Sequence, residues 1–117
     1  MAEESRAPTI IIYLSQSFRN QAVLRDVVSG VEEESIPYEV FQAPEDDGVR
    51  LAHRGAGESV LEVGIGVDSK GCIAVHYRML PPESPLFHLN YNREADKIRS
   101  VCSNAARLVK GTPFILE

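Results

Sequence analysis

Tryptophan is absent from this chain of 117 residues, and cysteine and methionine occur only twice each. Cys72 and Cys102 are too few for a disulfide framework, and their spacing matches no metal-ligand pattern. Both lie in apolar runs and read as buried free thiols in a reducing compartment. The longest apolar run, TIIIYL at residues 9–14, is far shorter than the roughly 20 residues that cross a bilayer. The leading MAEESRAP is too polar for a secretion signal. These features predict a cytoplasmic protein with a flexible tail over residues 1–8 and one α/β domain over 9–117. Basic excess is also missing: 12 Lys and Arg face 17 Asp and Glu, for a net charge of −5. With acids and bases mixed along the chain, no basic stripe is present to grip nucleic acid.

Periodicity organises what remains. The β-branched run at 9–14 fits a strand covered on both faces. A helix follows from Gln21 to Glu34, with Val23, Leu24, Val27, Val28 and Val31 at the spacing of one buried stripe, and Pro37 ends it. Tyr38 to Gln42 reads as a strand, 43–48 as an acidic turn, and Val49 to Gly57 as a short helix weakened by Gly55 and Gly57. VLEVGIGV at 60–67 and CIAVHY at 72–77 read as strands joined by the turn DSKG, which forces them antiparallel. Pro81, Pro82 and Pro85 stiffen an extended connection, and Leu86 to Leu89 is a candidate edge strand. A last helix runs from Arg93 to Lys110, with Gly111 suited to the position past its end. The order β-α-β-α-β-β-α predicts a three-layer α/β/α sandwich around a mixed sheet of four to five strands.

Catalytic motifs are lacking. Gly64 and Gly66 sit inside a strand rather than in a turn entering a helix, so GIG is no dinucleotide fingerprint; it reads instead as a close approach of another backbone. Of the three histidines, His53, His76 and His88, no pair has helical metal spacing, although the last two fall on neighbouring extended segments. A phospho-receiver site needs an acidic pair after the first strand, where SQSFRN stands, and Asp68 alone cannot replace it.

The run GVEEESIPYEV is harder to explain. It places Glu32, Glu33 and Glu34 at the end of a helix, where partial negative charge disfavours carboxylates. At about 100° per residue, Glu34 lies about 50° from the centre of the apolar stripe, Glu32 about 110° and Glu33 about 150°. Glu33 therefore points most directly away from the core. Either the helix end is simply solvated, or a cation from a metal or a partner compensates Glu33. Hard cations such as magnesium bind through one or two protein carboxylates completed by other ligands, so Glu33 alone is no whole site.

Three stretches, VEEESIPYEV, VGIGVDSKGCIAVHYRMLPPESPLF and SNAARLVKGTPF, together resemble the small subunit of the reactivating factor for adenosylcobalamin-dependent diol and glycerol dehydratases. The resemblance covers residues 9 to 114. It implies a fold like the dehydratase medium subunit and a chaperone-like role without catalysis. Its partners would be a large ATPase subunit, in a heterotetramer of two large and two small chains, and the dehydratase itself; neither nucleic acid nor membrane is implied. It implies subunit exchange that releases damaged cobalamin, with ATP and ADP on the large subunit only, and a setting in the cytoplasm or a bacterial microcompartment. It also implies that Glu33 reaches a Mg2+ ion at the interface with the large subunit, with Glu32 beside it. Ser35 departs from the family's glycine, and Ser103 from its asparagine. The competing expectation is a small enzyme or ligand-binding module, with a pocket at the strand ends involving His76 and His88. A chain that exchanges partners should also carry an exposed apolar docking face.

Overall fold

The computed structural model describes residues 7–116. The predicted tail over 1–8 falls mostly outside that range. Nine segments follow in order: β1 (Ile10–Ser15), α1 (Gln21–Glu32), β2 (Tyr38–Ala43), α2 (Gly48–Glu58), β3 (Val63–Val67), β4 (Cys72–Tyr77), β5 (Phe87–Asn90), a 3-10 turn (Ala95–Lys97) and α3 (Ile98–Lys110). The strands form one mixed sheet in the order β2-β1-β3-β4-β5. β1 runs parallel to both β2 and β3, and β4 runs antiparallel to β3 and to β5. Helices on both faces complete the expected α/β/α sandwich.

Side-chain alternation divides the core. Ile10, Ile12 and Leu14 of β1 join Val63, Ile65, Val67, Ile73 and Val75 under α1 and α3. Ile11 and Tyr13 point the other way, to Leu51 of α2. β1 is buried along its whole length, as the continuous run TIIIYL requires.

α2 lies directly on the backbone of β3. A Cβ at Gly66 would strike Gly48 O and Ala52 N, and one at Gly64 would strike Ala56 N and Ala52 O. Gly55 in turn faces Ile11 O and the Cα of Gly64. The glycines of α2 thus permit the contact that holds the helix down, a gain that outweighs their weak helix propensity. On the opposite face Gly30 plays the same part: a Cβ there would come within 2.5 Å of Arg99 O and 3.0 Å of Cys102 Cβ, so α1 and α3 cross at close range.

Several predicted boundaries shift. α1 stops at Glu32, because Glu33 forms its cap and Glu34 and Ser35 turn the chain through 3-10-type bonds to Val31 O and Glu32 O. β3 starts at Val63 rather than Val60, since Glu62 adopts φ 67° and Val60 is exposed. The 3-10 turn delays α3 to Ile98. Gly111 ends that helix as expected, with φ 72°.

Replacing Gly66 by Ala should push α2 off the sheet. Overpacking typically costs about 1–3 kcal/mol and more where backbone is the obstacle. We expect the melting temperature of Gly66→Ala to fall by about 10 °C or more, while Gly57→Ala, which meets nothing within 4 Å, should melt no lower than wild type.

Candidate functional site

The sheet order places the topological switch point at β1, with α1 and α2 leaving it on opposite faces. In such sheets the crevice beyond the carboxyl ends of the strands is where ligands bind. Here side chains tie the surrounding loops together. Asp46, in the loop after β2, reaches over the end of β1 to accept hydrogen bonds from Ser69 N at 2.8 Å and Ser69 Oγ at 2.5 Å. These bonds hold its carboxyl below the usual range. Asp68, 3% exposed, accepts from Gly48 N at the start of α2 and from Lys70 N and Cys72 N in the hairpin, each at 2.9 Å. Tyr91 Oη donates to Asp68 O at 2.7 Å. The acids that might have served chemistry are spent on binding loops together.

The histidines form no site either. The β4–β5 ladder sets His88 opposite Ala74, two residues from His76. His76 is fully buried, with Nδ1 3.2 Å from Tyr77 O, Nε2 3.1 Å from Pro82 O, and its ring 5.1 Å from that of His53. The ring donates through N–H to at least one of those carbonyls. His88 is exposed and borders a shallow depression of about 220 Å³ that His76 does not line. Cys102 is buried as expected, and burial pushes its thiol far up. Cys72 is only half-buried, and burial followed by Asp68 raises it to about 11. Neither thiol is a nucleophile at neutral pH.

The three glutamates separate much as helical geometry predicts. Glu34 turns inward: its side chain is 10% exposed and accepts from Lys110 Nζ at 2.8 Å, Arg107 Nε at 3.0 Å and Ser103 Oγ at 2.7 Å. The Lys110 and Ser103 bonds, in that order, lower its carboxyl to about 2. Glu32 accepts from Tyr38 Oη at 2.9 Å. Glu33 points outward, 50% exposed, with one long ion pair of 3.7 Å to Arg99 Nε. Among the described residues no three His, Cys, Asp or Glu side chains gather to hold a metal. Glu33 therefore fits a cation as a single ligand, leaving the others to come from outside this chain.

The cations of α3 were missed in the sequence. Ser103, Arg107 and Lys110 stand at i, i+4 and i+7, one stripe of a helix, and that stripe is the signal that would have paired them with Glu34. The same helix explains the ending SNAARLVKGTPF. Asn104 donates to Ile115 O at 2.9 Å and accepts from Ile115 N at 2.7 Å, and Arg107 Nη1 donates to Pro113 O at 2.9 Å. Phe114 then packs edge-on against Phe87 at 5.1 Å. Ser103, the departure from asparagine, supplies one of the donors to Glu34. Ser35, where glycine was expected, adopts φ 61°.

Residues 7–115 match the family described as dehydratase medium subunit. The chain belongs to that family. A curated member from Citrobacter freundii, named propanediol dehydratase-reactivating factor small subunit, is 40% identical over 97% of this chain and 96% of its own length. A solved structure titled as diol dehydratase-reactivating factor complexed with ADP and Mg2+ superposes with a TM-score of 0.84 at 37% identity, over 95% of this chain and 100% of that one. A second, titled glycerol dehydratase reactivase, gives 0.88 at 26% identity, over 94% of this chain and 98% of that one.

Two outcomes follow. Ser35→Gly should stabilise the chain by about 1 kcal/mol by relieving the left-handed conformation, read as a melting temperature a few degrees higher. The lowered carboxyl of Glu34 contributes stability that is complete above its unfolded value near 4.5 and lost as pH falls towards 2. Glu34→Gln should therefore be less stable than wild type at pH 7, and the gap should narrow in denaturant titrations between about pH 4.5 and 2.

Proposed function

We propose that this chain is the small, non-catalytic subunit of a reactivating factor for an adenosylcobalamin-dependent diol dehydratase. The observation that carries this reading is the match to the dehydratase medium subunit family along residues 7–115, on a fold whose outer face keeps an outward carboxylate. Identities of 40% and 37% to diol-type relatives, against 26% to the glycerol-type structure, favour a diol dehydratase as client.

Shared fold gives the mechanism its physical basis. A medium subunit of the dehydratase and this chain present similar surfaces, so each can occupy the same seat on a large subunit. Exchange of one for the other leaves the dehydratase short of a subunit, opens its active site and lets damaged cobalamin leave. ATP hydrolysis belongs to the large subunit, in an assembly of two large and two small chains. The setting is the cytoplasm or a bacterial microcompartment. Glu33 would hold a Mg2+ ion shared with the large subunit, and the ion would neutralise carboxylates brought together from both chains. In the free chain Arg99 balances the Glu33 carboxylate. Glu34, already held by three donors, keeps the helix end rigid so that Glu33 faces the partner.

Size exclusion and titration against the large subunit test this, in ATP and Mg2+. We expect a complex that weakens about tenfold or more, roughly 1.4 kcal/mol, in Glu33→Gln, with no loss of thermal stability. Chelation should weaken the wild-type complex and add little to Glu33→Gln, because both remove one interaction. Absence of any complex, together with a strong thermal shift of the isolated chain by a nucleotide, would favour a ligand-binding module instead.

A further inference from the structure

β2 is one of the two edge strands of the sheet, and its packing is chiefly against β1 rather than against a helix. Its pairing with β1 sets Ile10 beside Tyr38 in parallel register, with Ile10 N donating to Pro37 O and Gln16 N to Ala43 O. The parity of that ladder turns the backbone of Pro37, Glu39, Phe41 and Ala43 inward. It turns the N–H and C=O of Tyr38, Val40 and Gln42 outward, where no residue among those described pairs with them. Val40 is 39% exposed on the α1 face and Phe41 42% exposed on the α2 face, so both sides of the edge are apolar at the same point. A strand edge with apolar side chains and unpaired ladder groups is a template for another strand. Natural edges are normally protected by charged side chains, proline or a bulge, and YEVFQA carries only Glu39 among these.

The charges around the edge select among occupants. Glu39 lies within the strand and Glu32 is tied to it through Tyr38 Oη, with Glu33 next in sequence. Among the described residues the cation paired with these three carboxylates is Arg99, on Glu33. A second copy would bring another chain of net charge −5 against this acidic border, whereas a strand flanked by cations would complement it.

We infer that β2 docks an extended strand of the large subunit by edge addition, with basic groups of that subunit beside Glu32 and Glu39 and the shared cation at Glu33. This rests on the function proposed above and extends the surface from one carboxylate to a strand. Main-chain bonds at Tyr38, Val40 and Gln42 would provide affinity, and pockets for Val40 and Phe41 specificity.

Val40→Pro tests the edge cleanly, since the N–H it removes faces outward and takes no part in the ladder with β1. It should bind the large subunit at least tenfold more weakly than wild type, while Met79→Lys, which alters an exposed apolar residue on the β4–β5 connection, binds as wild type. Amide exchange on the wild-type complex gives a second reading that is independent of any effect of the proline on strand stability. The amides of Tyr38, Val40 and Gln42 should become at least tenfold more protected on binding, whereas those of Glu39, Phe41 and Ala43 are protected already. Val40→Pro binding within twofold of wild type, or no new protection at the outward amides, overturns the edge while leaving the proposed function standing. A wild-type chain that never binds removes both. A dimer of the isolated chain that Val40→Pro dissolves would assign the edge to a second copy and overturn the proposal.

Discussion

The carboxylate of Glu34 fixes the part of the molecule on which the proposed function depends. Three donors from α3 converge on it, and with Gly30 lodged against the same helix they join the C-terminal end of α1 to α3. The join ends α1 at Glu32, turns the chain through the left-handed Ser35 and delivers it to β2 at a set height. It also offsets the cost of acidic residues at a helix C-terminus, by giving one of them partners with positive charge. Glu33, one residue away, is left outside that network. Removing Glu34 would therefore disturb Glu33 and the start of β2 together, although neither touches its carboxylate.

Closure and openness are distributed unevenly over this fold. At the carboxyl ends of the strands, Asp46 and Asp68 bind the β2–α2 loop, the start of α2 and the β3–β4 hairpin into one unit. The glycine-lined contact between α2 and β3 reinforces that rigidity, because the helix has almost no freedom to slide. Along β2 the opposite holds: backbone groups are unpaired and apolar side chains are half exposed. A rigid body with an unfinished edge at β2 suits the proposed role of a subunit seated on a partner and later displaced from it.

The layers, the mixed sheet and the outward direction of Glu33 were legible in the sequence because each follows from a short-range period. Valines at helical spacing set the face of α1, and the DSKG turn required an antiparallel pair. Glycines inside an apolar strand also announced close backbone approach. What escaped notice depends on contacts across the chain. The stripe Ser103, Arg107 and Lys110 lies some 70 residues from Glu34, and nothing in the local pattern joins them. Val60 was read as strand because it is apolar, whereas Glu62 in a left-handed conformation delays β3. His76 and His88 were correctly placed on adjacent strands, yet their surroundings, two carbonyls for one and solvent for the other, are decided by packing. The edge proposed for docking had no sequence signature beyond an unprotected strand.

The most direct test of the account is recovery of activity. A diol dehydratase inactivated in turnover would be incubated with the large subunit, ATP, Mg2+ and fresh adenosylcobalamin, with and without this chain. The account predicts that activity returns, with release of the damaged cobalamin, when this chain is included, and much less without it. Full recovery in its absence, or none in its presence despite a formed complex, would contradict it.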